Sequence, residues 1–334
     1  MKAVAYKESL PISDGQALLD VELPRPECGA NDLLVKVEAI SVNPVDTKVR
    51  VRRPPEPGQL KVLGWDVAGV VEDVGSQVSG FAVGDRVWYA GAINRQGANA
   101  EYHCVDARIA SHMPSSLSFE QGAAMPLTTI TAWELLFDRL AITDQSEGSL
   151  LVIGAAGGVG SILVQLARQL TGLTIVGTAS RPETKAWVEQ CGAHHVIDHH
   201  QPLTEQLQTI GIPQVEYVTS LTHSDENLPA LVEVIAPQGK LALIDDPKTL
   251  DIVPLKYKCI SVHWEYMFAR SLYQTADMSK QHELLHKVAQ MVDEGKIKTT
   301  LAENFGSINA ANLMRAHAFI ERGKSRGKVV LSGF

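Results

Sequence analysis

Eight residues, Gly154-Ala155-Ala156-Gly157-Gly158-Val159-Gly160-Ser161, stand between an apolar run at 149–153 and an amphipathic run at 161–170. Read as strand, turn and helix, they suit one kind of chemistry. Glycines at Gly154, Gly157, Gly158 and Gly160, interleaved with the small Ala155 and with Val159, let backbone approach a pyrophosphate, and the helix N-terminus offers amides and a partial positive charge. A second apolar run, 173–178, follows at the spacing of a right-handed βαβ unit, so the turn is expected to bind a dinucleotide.

Residues just past that second run bear on which dinucleotide. NAD-selective sites carry a carboxylate about 20 residues beyond the glycines, to bond the ribose 2′-hydroxyl. Here the position is Ala179, followed by Ser180 and Arg181, with Lys185 four residues further on. A hydroxyl, a guanidinium and an ammonium match a 2′-phosphate, and cations at a helix start oppose its dipole unless an anion binds there. NADPH is therefore expected over NADH. His194, His195, His199 and His200 form a nearby cluster, but a four-residue spacing converges on a helix and not along a strand and its turn, so no metal site is read there.

These groups need a scaffold that holds the turn at the end of a sheet. From about residue 128 helical and extended runs alternate, with strands expected near 150–153, 173–178, 195–198, 215–219 and 240–244 and helices such as 183–190 and 228–235 between them. That rhythm predicts a parallel sheet with helices on both faces. Residues 1 to about 125 read differently, as short strands (33–37, 68–71, 86–89, 100–105) broken by Gly, Pro and Asp, which suits a β-barrel-like domain. The segment 52–58, rich in Arg and Pro, is expected as a surface loop. After Asp246 two helical runs, 280–294 and 310–322, lead to a last strand at 327–331 that returns to the first domain.

At 334 residues, two domains are the better prior. The formal charge of −8 argues against a nucleic-acid backbone or an anionic membrane as partner, and no run approaches the roughly 20 apolar residues that span a bilayer. A cytoplasmic enzyme acting on a small molecule is the expectation. Cys28, Cys104, Cys191 and Cys259 stand singly, and are expected as four separate reduced thiols.

Two further stretches carry a resemblance. Gly64-Trp65-Asp66-Val67-Ala68-Gly69 with Gly75 and Val78, then Gly84-Asp85-Arg86-Val87, together with the glycine turn, resemble the medium-chain dehydrogenase/reductase superfamily over essentially the whole chain. Residues 41–50 (SVNPVDTKVR) and 263–268 (HWEYMF) look like its zinc-type alcohol dehydrogenase-like branch, near the quinone oxidoreductases. The resemblance implies a GroES-like β-barrel domain over 1–127 and 268–334, a Rossmann domain over 128–267, an active cleft between them, and a homodimer in which the strand near 262–266, with Trp264 and Tyr266 as contact candidates, extends the Rossmann sheet. It also implies site residues. Asn43 and Asp46 match positions lining the cleft of quinone oxidoreductases, Thr131 matches their nicotinamide-side threonine, and His199 stands where a residue near the 2′-phosphate is found. Plainer readings exist for these: Asn43-Pro44 is a common turn pair, Asp46 a capping residue, and Thr128 and Thr129 helix-start residues.

The chain departs from the family's zinc chemistry. Catalytic zinc needs about three Cys, His or carboxylate ligands, yet no cysteine stands near Asn43, Trp65 replaces a histidine, 123–126 lacks Cys and His, and the four-cysteine structural loop is missing. Trp65 is then either a packing aromatic or a face on which a planar quinone stacks. Without a Lewis acid, hydride delivery is expected to a quinone or an α,β-unsaturated carbonyl, where charge delocalises onto an oxygen that hydrogen bonds can stabilise. Two other readings stand beside this: a reductase or dehydrogenase of simple aldehydes and ketones in which side-chain donors replace zinc, and a non-catalytic NADPH-binding protein.

Overall fold

Short strands broken by Gly, Pro and Asp in the first part of the chain pair in antiparallel ladders, and the apolar runs after residue 130 build a parallel sheet, the arrangement that buries a strand on both faces. The computed structural model describes residues 1–334, which divide into two compact units, Met1–Ile130 with Phe268–Phe334 and Thr131–Met267.

The first unit contains strands β1 (Lys2–Tyr6), β2 (Leu19–Glu22), β3 (Asp32–Val42), β4 (Lys61–Val62), β5 (Val67–Val74), β6 (Arg86–Tyr89), β7 (Tyr102–Asp106) and β8 (Ala110–His112), joined by β15 (Leu301–Asn304) and β16 (Lys328–Ser332) from far along the chain. A small sheet runs β2-β1-β4 and a larger one β15-β16-β3-β5-β6-β8, with β7 also paired to β3. The long strand β3 is the hub. Val42 pairs with Val329 of β16 on one side and Ile40 with Val67 of β5 on the other, so the ends of three neighbouring strands meet where β3 stops. There the chain turns into a helix, Pro44–Arg52, which the sequence reading did not anticipate; Arg52 closes this helix, and the loop expected over 52–58 begins one residue later.

The second unit is a six-stranded, all-parallel sheet of β9 (Ser149–Ile153), β10 (Thr174–Thr178), β11 (His195–Ile197), β12 (Val215–Ser220), β13 (Ile235–Leu243) and β14 (Ser261–Trp264), in the order β11-β10-β9-β12-β13-β14. The chain enters at a central strand and winds first one way and then the other. Between β9 and β12 the order reverses, and the carboxyl ends of strands at such a switch point form a crevice. Leu151, Val176, Val218 and Leu241 fill the sheet's core. No helix of the molecule is long and apolar enough to cross a membrane.

One expectation fails outright. Cys28 and Cys104 are joined by a disulfide, with Cα atoms 5.6 Å apart, while Cys191 and Cys259 remain free. Their 76-residue separation hides the pairing in sequence. Antiparallel pairing of β7 with β3 places Cys104 opposite Leu34, near the segment that leads Cys28 into β3.

Candidate active site

In the second unit the glycine turn leaves β9 as expected. The Gly154 amide donates to Thr178 Oγ1 (3.0 Å), tying the turn to β10, and Gly157 caps the helix Gly158–Leu170. A Cβ at Gly160 would lie 2.6 Å from Ala155 Cα, so only glycine lets the helix pack this closely on the turn. Amides at 158–160 lack carbonyl partners four residues back, as in any first helical turn, and supply donors for a phosphate. Ala155 and Val164 are buried beneath, so the turn rests on packed core.

At the ends of β10 and β11 stand the cationic residues. Ala179 is buried and its amide donates to Ile197 O (2.9 Å), which carries Ser180 and Arg181 past the sheet edge. Arg181 begins the helix Pro182–Gln190, its Nε 3.3 Å from Glu183, and Lys185 one turn later lies 3.5 Å from Asp198. His199 follows β11, its ring 4.4 Å from that of His200; burial, and then the charge of His200, lower its pKa. Ser180, Arg181, Lys185 and His199 thus gather at neighbouring strand ends. Of the other histidines, His194 turns inward and accepts from the Ile175 amide (2.9 Å).

The first unit holds a second polar group, built where β16, β3 and β5 end together. Asn43, Asp46, Asp66 and Lys328 are all almost wholly buried. The Asp46 carboxylate caps the helix Pro44–Arg52 by accepting from the Asn43 amide (2.7 Å), and its other oxygen accepts from the Gly64 amide (2.9 Å). Gly64 sits at φ +106°, and a Cβ there would lie 2.3 Å from Asn99 Oδ1, so glycine is required for the amide to face Asp46. Asp66 accepts from the Leu127 amide (3.1 Å), from Asn43 Nδ2 (3.1 Å) and from Lys328 Nζ (3.0 Å). Lys328 also donates to the Asn43 side-chain oxygen, and Asn43 Nδ2 donates a second time to Ser41 O (3.3 Å). Every polar atom of the Asn43 side chain is therefore engaged, and a donor role toward substrate would require it to release one bond. Burial pushes Asp46 up to about 7 despite the Asn43 amide and the Lys328 charge, and burial also raises Asp66, against the opposing pull of Lys328.

Trp65, between Gly64 and Asp66, is wholly buried; its indole N–H donates to Ala92 O (3.2 Å) and its ring meets Phe268 edge-on at 6.1 Å. Thr131 is a buried residue of the helix Pro126–Trp133. In the same helix Thr128 Oγ1 donates back to Met125 O (3.1 Å). Sequence reasoning passed over Lys328 altogether and met Asp66 only within the Gly64–Gly69 stretch that carries the family resemblance. The one available signal was a lysine opening a strand whose next three residues, Val329, Val330 and Leu331, are all core.

Comparison with known proteins bears on the family and the fold. Residues 29–118 match the alcohol dehydrogenase GroES-like domain and residues 191–331 the zinc-binding dehydrogenase domain. A zinc-type alcohol dehydrogenase-like protein of Staphylococcus aureus is 38% identical, covering 99% of this chain and 100% of its own length. The chain belongs to the medium-chain dehydrogenase/reductase family. A human quinone oxidoreductase is 33% identical over 70% of each chain. Among solved structures, a Rhizobium etli protein classed with zinc-dependent alcohol dehydrogenases shares 50% identity and a TM-score of 0.97, covering 100% of this chain and 98% of its own. A mycobacterial protein complexed with NADPH shares 27% identity and a TM-score of 0.84, covering 99% and 100%.

This medium-chain dehydrogenase/reductase is an oxidoreductase of GroES-like and Rossmann architecture, yet its residues do not fit the metal in the family's description. Both oxygens of Asp46 and of Asp66 already accept amide or ammonium hydrogens. Trp65 offers no lone pair, and the cation seated among these acceptors is the Lys328 ammonium. No three of the molecule's His, Cys, Asp and Glu side chains cluster in a way that could hold a metal ion.

Proposed function

We propose that this chain is an NADPH-dependent reductase that delivers hydride to a quinone or to the β-carbon of an α,β-unsaturated carbonyl without catalytic zinc. The observation that carries this reading is the engaged, lysine-centred donor set around Asn43, Asp46 and Asp66. Such a set lacks the ligands for a Lewis acid, and a delocalised oxyanion asks for less charge stabilisation than a localised alkoxide. The bound nicotinamide supplies the hydride. The turn Gly154–Gly160 would hold its pyrophosphate, Thr131 would serve its nicotinamide end, and Ser180, Arg181, Lys185 and His199 would receive the 2′-phosphate. Asn43 and Asp46 organise the substrate oxygen's surroundings, Trp65 walls them, and water returns the proton. Human quinone oxidoreductase, as a relative, supports this substrate class.

A two-fold homodimer belongs to the same reading. β14 is the last strand of its sheet, so its outer edge carries no ladder partner within the chain, and Trp264 and Tyr266 are exposed beside it.

The deciding experiment measures cofactor oxidation against matched quinones, enones and saturated carbonyls, before and after exhaustive chelation. Turnover of quinones or enones that survives chelation is expected. Turnover confined to saturated aldehydes and ketones would favour the carbonyl-reductase reading, and activity lost on chelation and restored by zinc would overturn the metal-free one.

A further inference from the structure

Lys328 is the only cation in the buried polar group of the first unit, and its three hydrogens have three acceptors: Asp66 Oδ2 (3.0 Å), the Asn43 side-chain oxygen and Val42 O (3.4 Å). An amide can be turned end for end at little cost in shape. What distinguishes the two orientations is the charge each end meets. Here an ammonium faces the oxygen end and a carboxylate the nitrogen end, so one orientation is strongly preferred and the other would oppose donor to donor and acceptor to acceptor. The charge balance is also particular. Two carboxylates, Asp46 and Asp66, share one lysine, and the groups facing Asp46 are that lysine, Asp66 and the amides of Asn43 and Gly64.

A buried ion pair by itself stabilises little, because desolvation offsets its attraction. The arrangement is better explained by what it fixes. We propose that Lys328 is a positioning residue for hydride transfer: its ammonium locks the Asn43 amide in one orientation and supplies the site's single positive charge, the charge that sets how many of its two carboxylates are ionised. This rests on the reading of Asn43 and Asp46 as substrate-side residues, and no step of it involves a bound metal.

The test compares Lys328→Met, Lys328→Arg and the double variant Lys328→Met/Asp66→Asn, the last of which removes the ion pair as a unit and leaves Asp46, held by the amides of Asn43 and Gly64, as the group's remaining carboxyl. Folding is followed by circular dichroism and cofactor Kd by fluorescence titration. With the best substrate of the wild type, kcat is expected to fall about 10–100-fold in the double variant while cofactor Kd and secondary structure are kept, since misplacing one orienting group costs rate more than binding. Lys328→Arg is expected to recover part of it. If the double variant folds and retains wild-type kcat, Lys328 merely neutralises Asp66 and the proposal fails.

A second readout needs no substrate. Removing the ammonium raises the proton affinity of the remaining carboxylates, so in Lys328→Met the pH at which thermal stability falls should move upward by about one unit or more. An unmoved midpoint overturns the charge role. Should the wild type reduce neither quinones nor enones while this midpoint still moves, the substrate reading fails and the role of Lys328 in setting ionisation stands.

Discussion

Arg181 lies 3.3 Å from the exposed carboxylate of Glu183, an interaction worth little in water. A 2′-phosphate would be a stronger partner, so Arg181→Ala should weaken NADPH binding by roughly 1.5–3 kcal/mol while leaving NADH almost unchanged. Titrating both cofactors against both proteins checks this; equal losses would make Arg181 a structural residue. Asn43 is the opposite case, a side chain fully occupied within the protein. Asn43→Ala should lower kcat/KM by about 2–4 kcal/mol of transition-state stabilisation. An unchanged kcat/KM in a folded variant would reduce Asn43 to a turn residue. The glycine turn and the cations after β10 were legible in sequence because both are local signals. Lys328 was not, because its partners lie 285 and 262 residues away and only the pairing of β16 with β3 brings them together.

Elements show the same division between local and distant. The parallel strands and the helices between them followed from apolar runs and their spacing, and each expected strand of the second unit is present. The helix Pro44–Arg52 was missed because its pattern has no apolar face; it is held by Asp46 at its start and by buried Arg50, whose guanidinium bonds Leu10 O and Glu321. Another cluster that spacing could not show lies in the second unit, where Arg139 Nε meets Glu265 (2.7 Å) beside buried Glu134. Burial, and then the charge of Glu134, push Glu265 up to about 9. A carboxyl whose pKa is raised on folding contributes stability that is full below its unfolded value and lost as pH rises through the folded one. Melting temperature should therefore decline from about pH 4.5 up to about pH 9, and Glu265→Gln, which mimics the protonated form, should flatten that decline. A slope identical in the variant would discard Glu265 as its source.

For the whole molecule, the Cys28–Cys104 bridge closes a long loop, and such a bridge stabilises by roughly 2–4 kcal/mol, mainly through the unfolded chain. Melting with and without dithiothreitol, and of Cys28→Ser/Cys104→Ser, should show a matching loss; identical curves would mean that the bridge does not form in solution. Sedimentation at micromolar concentration is expected to give the mass of two chains, and a monomer would count against assembly through β14. The bridge was not open to spacing arguments, because it joins cysteines that pair only in the folded sheet, whereas assembly through β14 is an expectation carried by the family resemblance.

The first unit also carries a constraint of timing. Its two segments are Met1–Ile130 and Phe268–Phe334, and the whole second unit is synthesised between them. Asn43 leaves the ribosome 285 residues before Lys328, an interval on the order of 15–60 s at ordinary translation rates. Throughout it, the stretch of β3 from Ala39 to Val42 lacks its β16 partner, and Asp46 and Asp66 have no counter-ion. The nascent barrel must wait, with an open strand and two uncompensated carboxylates, while the dinucleotide fold downstream of it completes first. Chaperone dependence and early aggregation should therefore trace to the amino-terminal half of this chain, although in the finished protein that half is as well packed as the rest.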